Sequence, residues 1–170
     1  MSQYPVITAG TKLTAALLNA MLPNLVEKAG STSRASNTTV SDDPDLTFAV
    51  VAGIYRVEMH LLFSGQTSAG FKTVWTVPSG TTGNKRVQGP GSSASDSGAD
   101  NIAVRHGVHG YATAVSYSNV RGGTQVHAIE RARMTVTNSG NVTLQWAQMS
   151  SSATATVLGA DSYIEYRRIG

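Results

Sequence analysis

The sequence predicts a mainly β chain: an antiparallel β-sandwich or jelly roll of about eight to ten strands, preceded by one short helix. Three observations point there. From Leu46 onward, apolar and polar residues alternate with period two, the spacing at which one strand face is buried and the other is wet. Turn residues punctuate that stretch about every ten residues, as short antiparallel strands require. Charged residues make up 14% of the chain, against about 25% in an average domain, while Gly, Ser and Thr abound. This is the composition of a turn-rich β protein and not of a disordered segment, which carries more charge and less apolar surface.

The elements follow in order. Residues 1–10 read as an extended arm broken at Tyr4-Pro5 and Ala9-Gly10. Thr11 to Leu22 reads as a helix, with Leu13, Ala16, Leu17, Ala20 and Met21 on one face and Leu18 and Leu22 widening the stripe. Thr11 supplies a cap and Pro23 a stop. A helix of about twelve residues is marginal alone in water, so its apolar face must pack on its own domain, on other copies or on a host structure. The expected organisation is an arm with attachment helix over 1–28 and a sandwich over 29–170. Residues 29–45 read as a polar connector, with part of it available as an extended edge strand. Within it, Asp42-Asp43-Pro44-Asp45 is better explained as a capped turn than as a calcium loop, since the Gly and the distal bidentate Glu are missing.

Strands are expected through Leu46, Phe48 and Val50, then over Ile54–Phe63 with Tyr55, Val57, Met59, Leu61 and Phe63 on one face, then over Phe71–Val77. Residues 78–101 read as a long insertion, because loops of this length inside compact domains carry function or mobility. Its polar residues Asn84, Lys85, Arg86, Gln88, Asp96 and Asp100 are the expected exposed recognition set. Strands resume at Ile102–His106 and Val108–Tyr117, and Asn119–Thr124 reads as a hairpin turn. In Val126–Val136 the even positions are apolar except Glu130, an acid on an inward face that calls for a bulge or an Arg partner. Further strands carry Val142, Leu144 and Trp146, then Thr154–Leu158, then Ser162–Ile169.

No chemistry of catalysis emerges, and neither a cofactor nor a metal is expected. Gly80-Thr-Thr-Gly83-Asn-Lys85 fails the phosphate-loop spacing, and Arg86 stands where a hydroxyl residue is required. His106 and His109 have an odd separation and fall on opposite strand faces; His60 and His127 lie on other strands. The Ser-rich stretch at 91–98 is not a nucleophile elbow, and no acid pair stands out for glycoside hydrolysis. The net charge is +3, and nine of the thirteen basic residues are Arg, scattered along the chain. Nucleic-acid binders concentrate such charge on one face, so no nucleic-acid partner is expected. Cysteine is absent, and no apolar run reaches the ~20 residues of a membrane span. The bottom-up reading is thus a protein that docks and presents, with a stand-alone carbohydrate-binding, lectin-like module as the alternative, through an exposed aromatic.

Gly10-Thr-Lys-Leu-Thr-Ala-Ala-Leu-Leu-Asn19 resembles the G-x-x-L-T-A-A-x-L-N opening of minor tail and fibre proteins of phages, especially actinobacteriophages. The body resembles their small accessory proteins, in Lys72-Thr-Val-Trp-Thr-Val-Pro-Ser-Gly80, Val142-Thr-Leu-Gln-Trp-Ala-Gln148 and Ser162-Tyr-Ile-Glu-Tyr-Arg-Arg-Ile169. The Gly-x-Tyr-x-Val, Gly-x-Val-x-Leu-x-Trp and closing Ser-Tyr strands are also similar to the jelly roll of the complement/tumour-necrosis-factor-like family. The resemblance implies a virion structural protein, a tail-associated fibre or receptor-binding component or a capsid decoration protein, assembled in the host bacterial cytoplasm. It implies other virion proteins as partners, a homotrimer by the second likeness, and a host cell-surface glycan as a target for the presented loops.

Overall fold

The computed structural model describes residues 5–94, 102–118 and 123–170. One helix, α1 (Ala15–Met21), precedes β1 (Asn24–Glu27), β2 (Thr32–Arg34), β3 (Ser41–Val50), β4 (Gly53–Ser64), β5 (Phe71–Thr76) and β6 (Thr82–Ala94). The second half holds β7 (Ile102–His109), β8 (Val115–Tyr117), β9 (Val126–Val136), β10 (Gly140–Ala147), β11 (Thr156–Leu158) and β12 (Tyr163–Arg168). The larger sheet runs β1-β12-β4-β9-β6-β7, with β11 joining β2 to β4; the smaller runs β3-β10-β5-β8. All pairings are antiparallel, and the fold is a β-sandwich.

The pairing is nested. β1 pairs β12, β2 pairs β11, β3 pairs β10, β4 pairs β9, β5 pairs β8 and β6 pairs β7. The chain is therefore one long antiparallel hairpin folded over on itself, with β1–β12, β2–β11, β4–β9 and β6–β7 in the larger sheet and β3–β10 and β5–β8 in the smaller, much as a jelly roll is generated. The tip of that hairpin is β6–β7.

The alternation read from the sequence is the alternation that packs. Tyr55, Val57, Met59, Leu61 and Phe63 of β4 are buried, as are Ala128, Ala132, Met134 and Val136 of β9 and Leu144 and Trp146 of β10. Phe71 stacks on Phe63 with ring centroids 4.5 Å apart and tilts against Trp146 at 5.5 Å, joining the sheets through aromatic contact. Where β6 crosses this core, a side chain does not fit: a Cβ on Gly89 would stand 2.7 Å from Cδ1 of Tyr117 and 2.9 Å from Ala128 Cβ.

Several expectations are corrected. The helix spans Ala15–Met21 and is capped by Thr14, whose hydroxyl accepts from Leu17 N–H. Thr11 does not cap it, because its hydroxyl and N–H close a turn with Thr8. Residues 29–45 are connector only in part: β2, an edge strand bonded to β11, and the start of β3 lie there. A division at residue 28 cuts the sandwich: β1 pairs with β12, and Lys28 is buried in an ion pair with Asp43. Twelve strands form among the described residues, more than expected, because β1, β2 and β6 lie in stretches read as arm, connector and insertion. The 108–117 strand breaks at a turn over residues 110–113, where Thr113 N–H reaches Gly110 O.

Gly89→Ala is expected to destabilise the chain by about 1–3 kcal/mol, since the buried Tyr117 ring and the Ala128 Cβ have little room to retreat from the added methyl. Urea unfolding of the variant beside the parent measures this, and an unchanged midpoint would show that β6 lies farther from β8.

Candidate docking and recognition surfaces

The arm and helix carry apolar side chains that the sandwich leaves uncovered. Leu17 and Ala20 are half-buried, and Ala20 lines a cleft with Val50, Val51, Tyr55 and Tyr166 at one end of the sandwich. The other three residues of the expected docking face, Leu13, Ala16 and Met21, are exposed, as are Leu18 and Leu22. Leu13 is 61% exposed and Leu22 60%. The helix is seven residues long, too short to be stable by propensity alone. No helix among the described residues is long and apolar enough to cross a membrane.

The expected recognition set is divided by strand geometry. Asn84, Arg86 and Gln88 are not loop residues; they project outward from β6, which is bonded on both sides, to β7 and β9. Lys85, between them, points inward and is fully buried, so it is withdrawn from any contact surface. Asp96 and Asp100 lie outside the described residues.

Lys85 faces Glu130. Its Nζ is 3.1 Å from Oε2, and both side chains are completely buried. Oε1 accepts from the Tyr117 hydroxyl at 2.8 Å and from the Thr73 hydroxyl. The Lys85 ammonium also sits 5.9 Å from the centre of the Trp75 ring. The inward acid is thus paired with a lysine from the hairpin tip rather than with an arginine. Burial pulls the Lys85 pKa down, against the pull of Glu130. Burial, reinforced by Glu130, pushes the Tyr117 phenol up, and burial alone lifts Tyr111 to about 12. Closed from solvent and matched in charge, this quartet holds strands together and offers no reacting group to a substrate.

A second buried ion pair closes the other end. Lys28 Nζ lies 3.0 Å from Asp43 and 3.1 Å from Asp45. Trp146 Nε1 donates to Asp43 at 2.9 Å, and Asp43 Oδ1 accepts from the N–H groups of Asp45 and Leu46. The Asp42–Asp45 run therefore lies within β3, at a bulge opposite β10, and not in the capped turn expected; Asp43 is spent on lysine, indole and the two N–H groups ahead of it. The Arg34 guanidinium lies 4.1 Å from the Trp146 ring centre, with its pKa lowered by burial.

On the outward face of the larger sheet, Glu58 accepts from Arg131 Nη2 at 3.0 Å, stands 2.8 Å from Arg131 Nε and 3.8 Å from Arg56 Nη2, and contacts His60 Nε2 at 2.8 Å. His60 stacks on Tyr163 at 4.4 Å. The hydrogen bond from Arg131 is the main reason that the Glu58 carboxyl titrates below the usual glutamate range. Among the described residues, no group of three or more His, Asp or Glu side chains is placed to hold a metal ion.

No family model matches the chain, and no curated protein matches it. Among solved structures, the tripod (BppUct-A-L) from the baseplate of bacteriophage Tuc2009 aligns over 96% of this chain and 73% of its own, at 10% identity and a TM-score of 0.33. Infectious bursal disease virus, Gx strain, aligns over 87% of this chain and 37% of its own, at 7% identity and a TM-score of 0.20. At these scores neither match bears on function.

Lys85→Met strands a buried carboxylate and is expected to cost about 3–5 kcal/mol. Adding Glu130→Gln removes the stranded charge while keeping an acceptor for Thr73 and Tyr117, so the double variant should be more stable than Lys85→Met alone; chemical denaturation of the four proteins of the cycle reads the coupling. Glu58 has a folded pKa below its unfolded value, so its contribution is complete above the unfolded value of about 4.3 and disappears as pH falls through the depressed pKa. The stability gap between the parent and Glu58→Gln should therefore be present at neutral pH and close in acid.

Proposed function

We propose that this chain is a structural protein of a bacteriophage particle, held by its N-terminal arm and helix and displaying the sandwich outward, with no catalytic step. One observation carries the reading. Of the ten large apolar side chains exposed among the described residues, seven (Val6, Ile7, Leu13, Leu18, Met21, Leu22 and Leu25) fall in the first 25 positions. The sandwich covers its own core, so the uncovered apolar side chains gather mostly in this segment, and exposed apolar surface of this kind marks an interaction site. Each side chain fully covered by a partner contributes about 1.5–3 kcal/mol. The same segment carries the Gly10–Asn19 stretch that resembles the opening of phage tail and fibre proteins.

Within this reading, the tail-associated and capsid-decoration roles differ in copy number, and a three-fold assembly of the sandwich agrees with the likeness to the complement/tumour-necrosis-factor jelly roll. Leu13→Gln/Leu18→Gln/Leu22→Gln changes only exposed positions and is expected to leave the melting temperature of the isolated chain unchanged while abolishing its incorporation into purified particles. Quantifying the parent on those particles separates a few copies, at the tail, from hundreds, on the capsid. Wild-type incorporation of the triple variant, or absence of the parent from particles, overturns the proposal. Light scattering of the full chain tests the trimer.

A further inference from the structure

The outward face of the larger sheet collects arginines that are far apart in the chain. Antiparallel register sets Arg167 of β12 opposite Arg56 of β4, and Arg56 opposite Arg133 of β9, with Asn84 of β6 next in line. The adjacent outward line reads Arg86, Arg131, Glu58 and Glu165. All five arginines are exposed. Strands lie about 4.8 Å apart and successive outward residues about 6.8 Å apart along a strand, so the five side chains rise from an area of about 14 by 7 Å. Their formal charge against the two glutamates is +3, equal to the net charge of the whole chain.

Like charges set directly opposite on a sheet repel, so a line of three arginines concentrates positive charge on this face at a cost to the fold. The acid nearest to it, Glu58, is shared: Arg131 and His60 hold it closely and Arg56 reaches it at 3.8 Å. Arg56 and Arg167, with Pro23, Glu58 and Glu165, border a cleft of about 110 Å³, room for a single tetrahedral or carboxylate anion. Beside the arginines stand exposed Thr82, Asn84 and Gln88, which offer hydroxyl and amide groups to hydroxylated ligands.

We propose that this face binds an acidic polysaccharide, its phosphate, sulfate or carboxylate groups paired to the Arg167–Arg56–Arg133 line and its hydroxyls to Asn84 and Gln88. Guanidinium forks pair bidentately with all three anions. A polysaccharide is favoured over a nucleic acid on two grounds. The aromatic ring of this face, Tyr163, is already stacked on His60, so no open platform is set out for bases. The surplus of positive charge is also small for counterion-driven nucleic-acid binding. The inference deepens the display reading and rests on it for the source of the polymer, the host cell envelope.

Dextran sulfate is the probe, with unsulfated dextran and a mixed-sequence single-stranded oligonucleotide as the comparison arms, all measured on the full chain at low ionic strength. Dextran sulfate should bind and dextran should not. Arg56→Gln/Arg133→Gln/Arg167→Gln should weaken binding by at least about tenfold, whereas Lys12→Gln/Lys72→Gln/Arg105→Gln, which removes equal charge from elsewhere, should weaken it by about twofold or less. The melting temperature of each variant is read beside its binding, so that lost binding is told apart from lost folding, and Arg56→Gln/Arg167→Gln provides a milder second variant. Equal losses in the two triple variants, no binding of dextran sulfate, or tighter face-dependent binding of the oligonucleotide would overturn the proposal. Incorporation into particles is read separately: a chain absent from particles removes the display reading, while the binding comparison still decides the ligand class.

Discussion

The carboxylate of Glu130 is the point at which the parts of this molecule meet. It belongs to β9 in the larger sheet. It accepts hydroxyls from Thr73 of β5 and Tyr117 of β8, both in the smaller sheet, and it faces the ammonium of Lys85 on the hairpin tip. An ionised group taken out of water is costly unless it is paired and hydrogen-bonded. The two sheets and the tip hairpin can therefore close only in an arrangement that supplies all of these partners. Non-directional burial of Phe63, Phe71 and Trp146 holds the layers together, and the buried pair selects the alignment in which β6 runs as a strand along β9. Gly89 lets that strand pass over the ring of Tyr117.

Nesting of the strand pairs has a second consequence. When one long hairpin is folded into a sandwich, its outermost pair, β1 with β12, lies at one side of the larger sheet and its tip, β6 with β7, at the other. The helix precedes β1, so the uncovered apolar segment begins at the β1 side, while the strand bearing Asn84, Arg86 and Gln88 lies toward the tip. A segment suited to attachment and a polar face suited to contact thus sit toward opposite sides of one sheet. The ionisable groups within the body, Lys28 with Asp43 and Lys85 with Glu130, are spent internally, and the charges left outside are the ones that face other molecules.

Much of this was readable residue by residue. The inward faces of β4, β9 and β10 follow from alternation, since the pleat sends successive side chains to opposite sides whatever the partner strand. Glu130 as an acid on a buried face was equally plain. β6 was not. Its inward positions are Gly83, Lys85, Val87 and Gly89, so only Val87 supplies an apolar signal, and Gly, Pro and Ser around it are loop residues by composition. Only the presence of Glu130 opposite makes Lys85 an inward residue. The helix start was misplaced for a local reason: Thr11 and Thr14 are equivalent caps by residue type, and the turn with Thr8 uses the first of them.

The sequence by itself determined the β character of the chain, the faces of its long strands and the apolar stripe at its N-terminus, because these depend on periods of two and of about 3.6 residues within one segment. Tertiary structure decided which strands pair and in what register, and with that the partner of Glu130 and the assembly of Arg56, Arg131, Arg133, Arg86 and Arg167 on one face. Along the chain those arginines are scattered, and the charge reading treated them so. A register that aligns residues more than thirty positions apart is set by hydrogen bonds and packing between distant segments, and no local pattern encodes it.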